Sequence, residues 1–261
     1  MSAIITLLTD FGTADGYVAE MKGVLLSLVP DVRLVDLTHD IPSGDIRAGA
    51  YALGRAWRAF PADTVHLAVV DPGVGTARRA LAVEVGAQKF VAPDNGLLSQ
   101  VLEGRSFRAL ALTALTNAAP TFHGRDVFAP AAAALALGDT VEAGPIADPV
   151  RLPAAQLVRR GGDVLGEVIH VDRFGTLITN IPSGRIAERA VVRVSAYELT
   201  LQRTFGDVAP GDPVAFIGSG GMVEVAVRDG RADVVLGASR GTEIAASVRP
   251  PSPQRPSTPG S

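Results

Sequence analysis

The chain of 261 residues contains no cysteine. That absence removes disulfide scaffolds, thiolate nucleophiles, iron–sulfur clusters and every cysteine-ligated zinc site. Lysine is scarce, with 2 against 22 arginines, and no basic cluster exceeds the pairs Arg78–Arg79 and Arg159–Arg160. At a net charge of −3 the chain lacks the positive excess that a phosphate backbone demands, which argues against nucleic acid as a partner. Long apolar runs are missing as well. Residues 129–137 form the longest, interrupted by Pro130 and far short of the ~20 residues that span a bilayer. Residues 1–8 are apolar but carry no basic leader, and Asp10 interrupts them, so no signal peptide or membrane association is expected. A cytoplasmic protein is the expectation. The four histidines form no His-x-x-x-His pair, so no metal is expected.

What is present is ordinary globular material: 47% hydrophobic and 20% charged residues. At about 150 residues per domain, the length suits one large or two modest domains. The first part alternates strand and helix signals. Residues 3–9 and 32–38 read as strands, and residues 64–70 as a third, buried on both faces because its apolar run is unbroken. Val18, Met21, Leu25 and Leu28 mark one helix face, stopped by Pro30. Residues 46–60, 96–102 and 127–137 read as further helices, and residues 81–85, 90–92 and 107–112 as strands. Such alternation predicts a mostly parallel α/β sheet flanked by helices. Near Gly144 the pattern changes. Pro145, Pro149 and Pro153 space out a linker-like segment, followed by short strands at residues 164–171, 191–194, 197–202, 214–217, 223–227 and 243–248. These predict a small all-β domain, barrel or sandwich. The expected organisation is an α/β domain over residues 1–144, a barrel-like domain over residues 154–248 and a disordered proline-rich tail over residues 249–261.

In parallel sheets, ligands bind beyond the carboxyl ends of the strands. Acidic residues follow three predicted strands there: Asp10, Asp40 after His39, and Asp71. One such carboxylate is an ordinary loop residue; three suggest a functional cluster. Asp71-Pro-Gly-Val-Gly-Thr76 resembles a phosphate cradle but lacks the Gly-Lys-Ser/Thr of a Walker loop, and Gly218-Ser-Gly-Gly221 does not open a helix. Both read as turns. His66 and His170 lie in predicted strands and read as structural, His39 reads as a solvated turn residue, and His123 precedes a helix.

Five segments in fixed order resemble a known family: Thr9-Asp-Phe-Gly-Thr-Ala-Asp15, Val69-Val-Asp-Pro-Gly-Val-Gly-Thr-Ala-Arg78, Ala92-Pro-Asp-Asn-Gly-Leu-Leu98, Phe122-His-Gly-Arg-Asp-Val-Phe-Ala-Pro130 and Asp172-Arg-Phe-Gly-Thr-Leu-Ile-Thr-Asn180. The chain is similar to the S-adenosylmethionine (SAM) hydroxide adenosyltransferases, relatives of the SAM-dependent fluorinase and chlorinase. The resemblance implies an α/β domain joined to a small β-barrel, and hydrolysis of SAM to adenosine and methionine without a cofactor. It also implies a homotrimer with sites at subunit interfaces. The family's water-activating set maps onto Asp71, Arg78 and His123. Halogenating relatives carry uncharged residues where Asp71 stands and lack the histidine, so hydroxide is favoured over halide. Substrate contacts carried over are Asp10 on the ribose hydroxyls, Asp15 and Asp172 near the methionine ammonium, Phe122 and Phe174 along the adenosyl pocket, and Ser219 near the methionine end. Thr176 occupies a position that is commonly Asn, and Gly220 stands where the halogenase has Arg. The competing reading of Phe174 is plain barrel core. Two other readings compete: a metal-dependent hydrolase using Asp10, Asp40 and Asp71, and a non-catalytic adenosyl-binding module.

Overall fold

The computed structural model describes residues 2–113 and 117–248. Two compact units divide the chain, Met1–Pro153 and Ala154–Ser261. The proline-rich tail of residues 249–261 lies outside the described residues.

The first unit is built on seven strands: β1 (Ile4–Thr9), β2 (Arg33–Thr38), β3 (Val65–Val69), β4 (Ala80–Val85), β5 (Gln88–Pro93), β6 (Arg108–Leu112) and β7 (Ala143–Ile146). Their order in the sheet is β2-β1-β3-β5-β4-β6-β7. Pairing is parallel from β2 through β1 and β3 to β5, with helices on the connections from β1 to β2 and from β2 to β3. It is antiparallel from β5 through β4 and β6 to β7. The parallel expectation therefore holds for four strands. β4 and β5 are joined directly through Gly86 and Ala87, and a connection that short returns only antiparallel. Pro145 lies in β7 at the edge of the sheet, where a missing N–H costs no ladder bond. The proline-spaced stretch beyond β7 is tied to this unit: Asp94 accepts the Val150 amide at 2.7 Å, and Ser99 Oγ accepts the Leu152 amide at 2.8 Å.

Helices cover both faces. On one, α1 (Tyr17–Leu28) and α4 (Ala129–Leu137) pack with Ile5, Leu7, Val65, Leu67 and Val69. On the other, α2 (Ile46–Ala56) and α3 (Ser99–Leu102) pack with Leu8, Ala68, Val70, Leu81 and Phe90. β3 is buried on both sides, as its unbroken apolar run predicts. Val18, Met21 and Leu25 face the core from α1, while Leu28, expected there too, is 48% exposed in the helix's last turn. Asp45 caps α2, its carboxylate accepting the Ala48 amide at 3.0 Å.

The second unit has β8 (Val158–Arg160), β9 (Asp163–Val171), β10 (Leu177–Pro182), β11 (Val191–Val194), β12 (Tyr197–Gln202), β13 (Pro213–Ile217), β14 (Met222–Val227), a short α5 (Ala232–Val235) and β15 (Glu243–Ser247). Seven strands close in the order β9-β10-β14-β13-β12-β11-β15, because β9 pairs with both β10 and β15; β8 adds to β9 from outside. Closure removes the free edges, so the all-β part is a barrel and not a sandwich. β10 escapes the sequence pattern because Thr179 and Asn180 interrupt its apolar run. Both side chains bind backbone at a register break: Thr179 Oγ1 donates to the Val223 carbonyl at 2.8 Å, and Asn180 accepts the Glu167 amide at 2.8 Å.

His66 is the most exacting polar group in the first core. It is fully buried in β3, stacks on Phe90 at 4.8 Å, and shares a 2.8 Å hydrogen bond between Nδ1 and Thr6 Oγ1. Burial pushes its pKa down to about 4 from 6.5, so the ring is neutral in the folded protein. The unfolded chain binds this proton first on acidification. Stability should therefore fall as the pH drops from about 6.5 to about 4, by about 3 kcal/mol from this group alone. Urea unfolding of wild type and His66→Gln across that range checks this, and an identical pH slope in the two proteins would exclude His66 as the source.

Candidate active site

β1 and β3 are parallel neighbours with Thr9 opposite Val69, so Asp10 and Asp71 emerge side by side from their carboxyl ends. The chain beyond Asp71 folds into successive turns, with Val74 N donating to Asp71 O at 3.2 Å and Thr76 N to Gly73 O at 3.2 Å. It then returns to deliver Arg78 just before β4. Gly75 makes the return possible. Its φ is +76°, and a Cβ there would lie 2.7 Å from the Pro120 carbonyl oxygen, so the turn packs directly on the segment that precedes His123.

Arg78 joins the three candidate catalytic residues. Its Nε donates to both Asp71 oxygens at 3.0 Å, and Nη2 makes a further short bond to Asp71 Oδ2. The same Nη2 donates to His123 Nδ1 at 2.8 Å, while the guanidinium lies 5.1 Å from the centroid of the Phe128 ring. The Asp71 and Arg78 side chains are only 4% and 10% exposed, so the pair is shielded from solvent screening. Arginine is donor-only, so His123 Nδ1 must accept and the neutral ring carries its proton on Nε2. Burial lowers the His123 pKa from its ordinary 6.5, and the Arg78 charge lowers it further against the opposing pull of Asp71 and Asp126.

Sequence reasoning gave no role to the residues that hold His123 in place. A π-helical turn, Gly124–Phe128, runs directly into α4. Asp126 within it accepts the Ala119 amide at 2.8 Å, pinning the incoming loop. Arg125 grips Asp126, reaches Glu20 on α1 at 2.8 Å, and lies 5.0 Å over the Phe122 ring. The signal was available, since Arg125 and Asp126 belong to the same segment as His123. Their contacts close a long chain separation that spacing alone does not reveal.

Phe122 joins Phe11 and Tyr17 in an edge-to-face cluster, with centroids 5.4 to 6.1 Å apart. Asp10 is held by one oxygen, Oδ2, which accepts the Gly44 amide at 2.7 Å. Asp15 is exposed in the loop before α1, and Asp40 is exposed after β2. Among the described residues, no three His, Asp or Glu side chains are grouped to hold a metal ion, so Asp10, Asp40 and Asp71 do not form one.

Within the barrel the candidates separate. Asp172 Oδ1 accepts the Phe174 and Thr176 amides at 2.9 and 2.8 Å, closing the turn between β9 and β10. Arg231 donates to the Arg173 carbonyl at 2.9 Å and braces that turn. Thr176 is buried, whereas Phe174 is 76% exposed and so is not barrel core. Ser219 lies in the β13–β14 hairpin, and Gly221 O accepts the Ser183 amide just past the far end of β10. Ser219 is thus separated from the 172–176 turn by the length of β10, roughly 16 Å at about 3.3 Å per residue. His39, expected as a solvated turn residue, is only 5% exposed.

Sequence profiles of the SAM hydroxide adenosyltransferase N-terminal and C-terminal domains match residues 5–144 and 166–245. An "(R)-S-adenosyl-L-methionine hydrolase" of Salinispora tropica is 44% identical over 253 residues, covering 92% of this chain and 96% of that protein. A protein of the same name from Thermus thermophilus is 44% identical over 256 residues, with 92% and 98% covered. A fluorinase of Actinopolyspora mzabensis is 29% identical, with 85% and 90% covered. The crystal structure of an uncharacterized conserved protein from Thermotoga maritima superposes with a TM-score of 0.86 at 34% identity, covering 93% of this chain and 99% of that one.

Replacing Gly75 with Ala should cost about 1–2 kcal/mol through its left-handed backbone, with the Pro120 contact adding to the loss. The expected result is a lowered Tm together with a larger fall in turnover than stability alone explains. Gly86→Ala, also at positive φ but with open space around it, is the control.

Proposed function

The chain belongs to the SAM hydroxide adenosyltransferase family, and from that premise we propose that it hydrolyses SAM to adenosine and methionine. What supports hydrolysis most directly is the contacting set Asp71–Arg78–His123 at the carboxyl ends of the parallel strands. Relatives that are 44% identical are named for the (R) sulfonium epimer, and we assign the same substrate here.

The water oxygen forms a bond to ribose C5′ as the C5′–S bond breaks, its electron pair returning to sulfur to leave neutral methionine. That leaving group needs no acid. The water does need help, because its pKa of about 15.7 makes it a poor nucleophile at neutral pH. Asp71 is the anion that takes the proton. His123 Nε2–H is a donor that fixes the water oxygen, and it cannot act as the base while Nδ1 is bound to Arg78. Arg78 holds both and offsets the carboxylate's charge. A buried carboxylate beside the nucleophile's position repels halide, which separates this chain from the fluorinase relatives. Neither cofactor nor metal enters this scheme.

Asp10, with Oδ1 turned away from the Gly44 contact, suits the ribose hydroxyls, and the Phe122 cluster suits the adenosyl group. Asp15, Asp172, Phe174 and Thr176 remain the assigned recognition residues, whereas Ser219, at the opposite end of β10 from Asp172, does not share one methionine with it within a subunit. The family resemblance leads us to assign a homotrimer in which neighbouring subunits complete each site, an arrangement that would cover the exposed Phe174. A permanently charged sulfonium does not cross a bilayer unaided, so we place the enzyme in the cytoplasm with its substrate. No helix among the described residues is long and apolar enough to cross a membrane.

Chromatography of a reaction with each SAM epimer should show adenosine and methionine in equal amounts, from the (R) form. Asp71→Asn should lower kcat by about 10²–10⁴ while SAM affinity changes little. Near-normal turnover in that variant would remove Asp71 as the base. The kcat/KM profile should hold as the pH drops through 6.5 and fall only below it, because the lowered pKa of His123 keeps the ring neutral there. An acid limb centred at or above 6.5 would contradict that assignment.

A further inference from the structure

We propose that His39 is a positioning residue for the ribose grip, holding the loop that carries Asp10 against the exit loop of β2. The inference rests on the assignment of Asp10 to the ribose hydroxyls.

The main-chain and side-chain atoms of His39 bind the residues on both sides of Asp10. Nδ1 is 2.8 Å from Thr9 Oγ1, and the same hydroxyl accepts the Phe11 amide at 3.2 Å. The His39 carbonyl accepts the Gly12 amide at 2.8 Å. Thr9, Phe11 and Gly12 are therefore each tied to His39 directly or through one hydroxyl, while Asp10 between them receives the Gly44 amide from five residues further along the same exit loop. Thr9 is fully buried and His39 is 5% exposed, so water does not compete for these bonds.

The contacts are anchored at their far end. His39 Nε2 lies 3.1 Å from Asp36 Oδ1, and Asp36 Oδ2 is held by Lys22 of α1 at 2.7 Å. Nδ1 and the Phe11 amide meet at the one Thr9 hydroxyl. The ring thereby ties the backbone on either side of Asp10 to β2 and α1. An aliphatic side chain would fill the same space without aiming that carboxylate, which is why a buried histidine here points to function and not to packing alone.

The test compares SAM with 2′-deoxy-SAM. Wild type should disfavour the deoxy substrate by about tenfold or more in kcat/KM, because the lost hydroxyl leaves one Asp10 hydrogen bond unmade. Asp10→Asn should bring that ratio close to one. His39→Gln and Thr9→Val should each reduce the ratio by about threefold or more and raise KM for SAM, with kcat nearly unchanged. A purely structural role for His39 would lower the amount of folded enzyme and leave the ratio as in wild type. If Asp10→Asn retains the wild-type ratio, the ribose assignment itself is wrong. If Asp10→Asn loses it while folded His39→Gln and Thr9→Val keep it, the positioning role of His39 is overturned. Should His39→Gln fail to fold, Thr9→Val, which preserves the side-chain volume, decides alone.

Discussion

Everything at this site depends on one guanidinium. Arg78 presents a planar fork whose Nε and Nη2 edges meet a carboxylate, and it keeps a second Nη2 hydrogen for a histidine nitrogen. A lysine at this position would be a point charge on a flexible stem, without the geometry to address both partners at once. Because the Asp71–Arg78 pair is almost closed to solvent, its charges attract strongly and their cost of desolvation is offset only while both partners are present. The set is therefore coupled. Loss of any member leaves a polar group with an unmet bond. Burial and the Arg78 charge together hold the His123 ring toward its neutral form, and the bond from Arg78 selects the tautomer.

That geometry is only as exact as the strands that deliver it. β1 and β3 are packed on both faces, and neither can shift register without turning a fully buried residue toward the wrong core. Asp10 and Asp71 inherit this rigidity, since each follows directly upon, or one residue beyond, the Thr9–Val69 pair. His123 has no such strand behind it. Its placement comes from the π-helical turn, the Asp126 bond to Ala119 and the Arg125 bridge to Glu20. The two sides of the site are thus held by different means, one by apolar packing and the other by a polar network.

Much of this was legible in the sequence, and the rest was not for identifiable reasons. The alternation of apolar strands and helices predicts the parallel half of the sheet, because that signal is local. The antiparallel half depends on the two-residue connection between β4 and β5, a few atoms of chain that reverse the pairing of everything beyond them. β10 was hidden because Thr179 and Asn180 satisfy backbone groups at a bulge, and polar residues doing that work look like a loop. The resemblance to the family groups Asp71, Arg78 and His123, which the fold brings into contact. It could not reveal that Ser219 and the 172–176 turn occupy opposite ends of β10, which only strand register determines. His39 was misread for the opposite reason. Thr38 ends β2 and Asp40 is exposed just beyond it, so the local sequence reads as a solvated strand exit, while the partners of the ring come from β1 and from Asp36.

The distribution of charge follows from the chemistry of the leaving group. A sulfonium departs as a neutral thioether, so no acid is required on that side, and cationic groups there would only repel the substrate. Residues 1–150 carry 16 acidic against 11 basic side chains, an excess that favours approach of a cation. The one buried arginine at the candidate site is locked against Asp71, so its charge is compensated where it stands. A site built this way directs its anionic character at two places, the ribose through Asp10 and the water through Asp71. Both carboxylates are supplied by the ends of adjacent parallel strands, so strand spacing sets where their backbone emerges and the exit-loop contacts aim Asp10 from there. Binding and water activation are consequently aligned by the sheet itself.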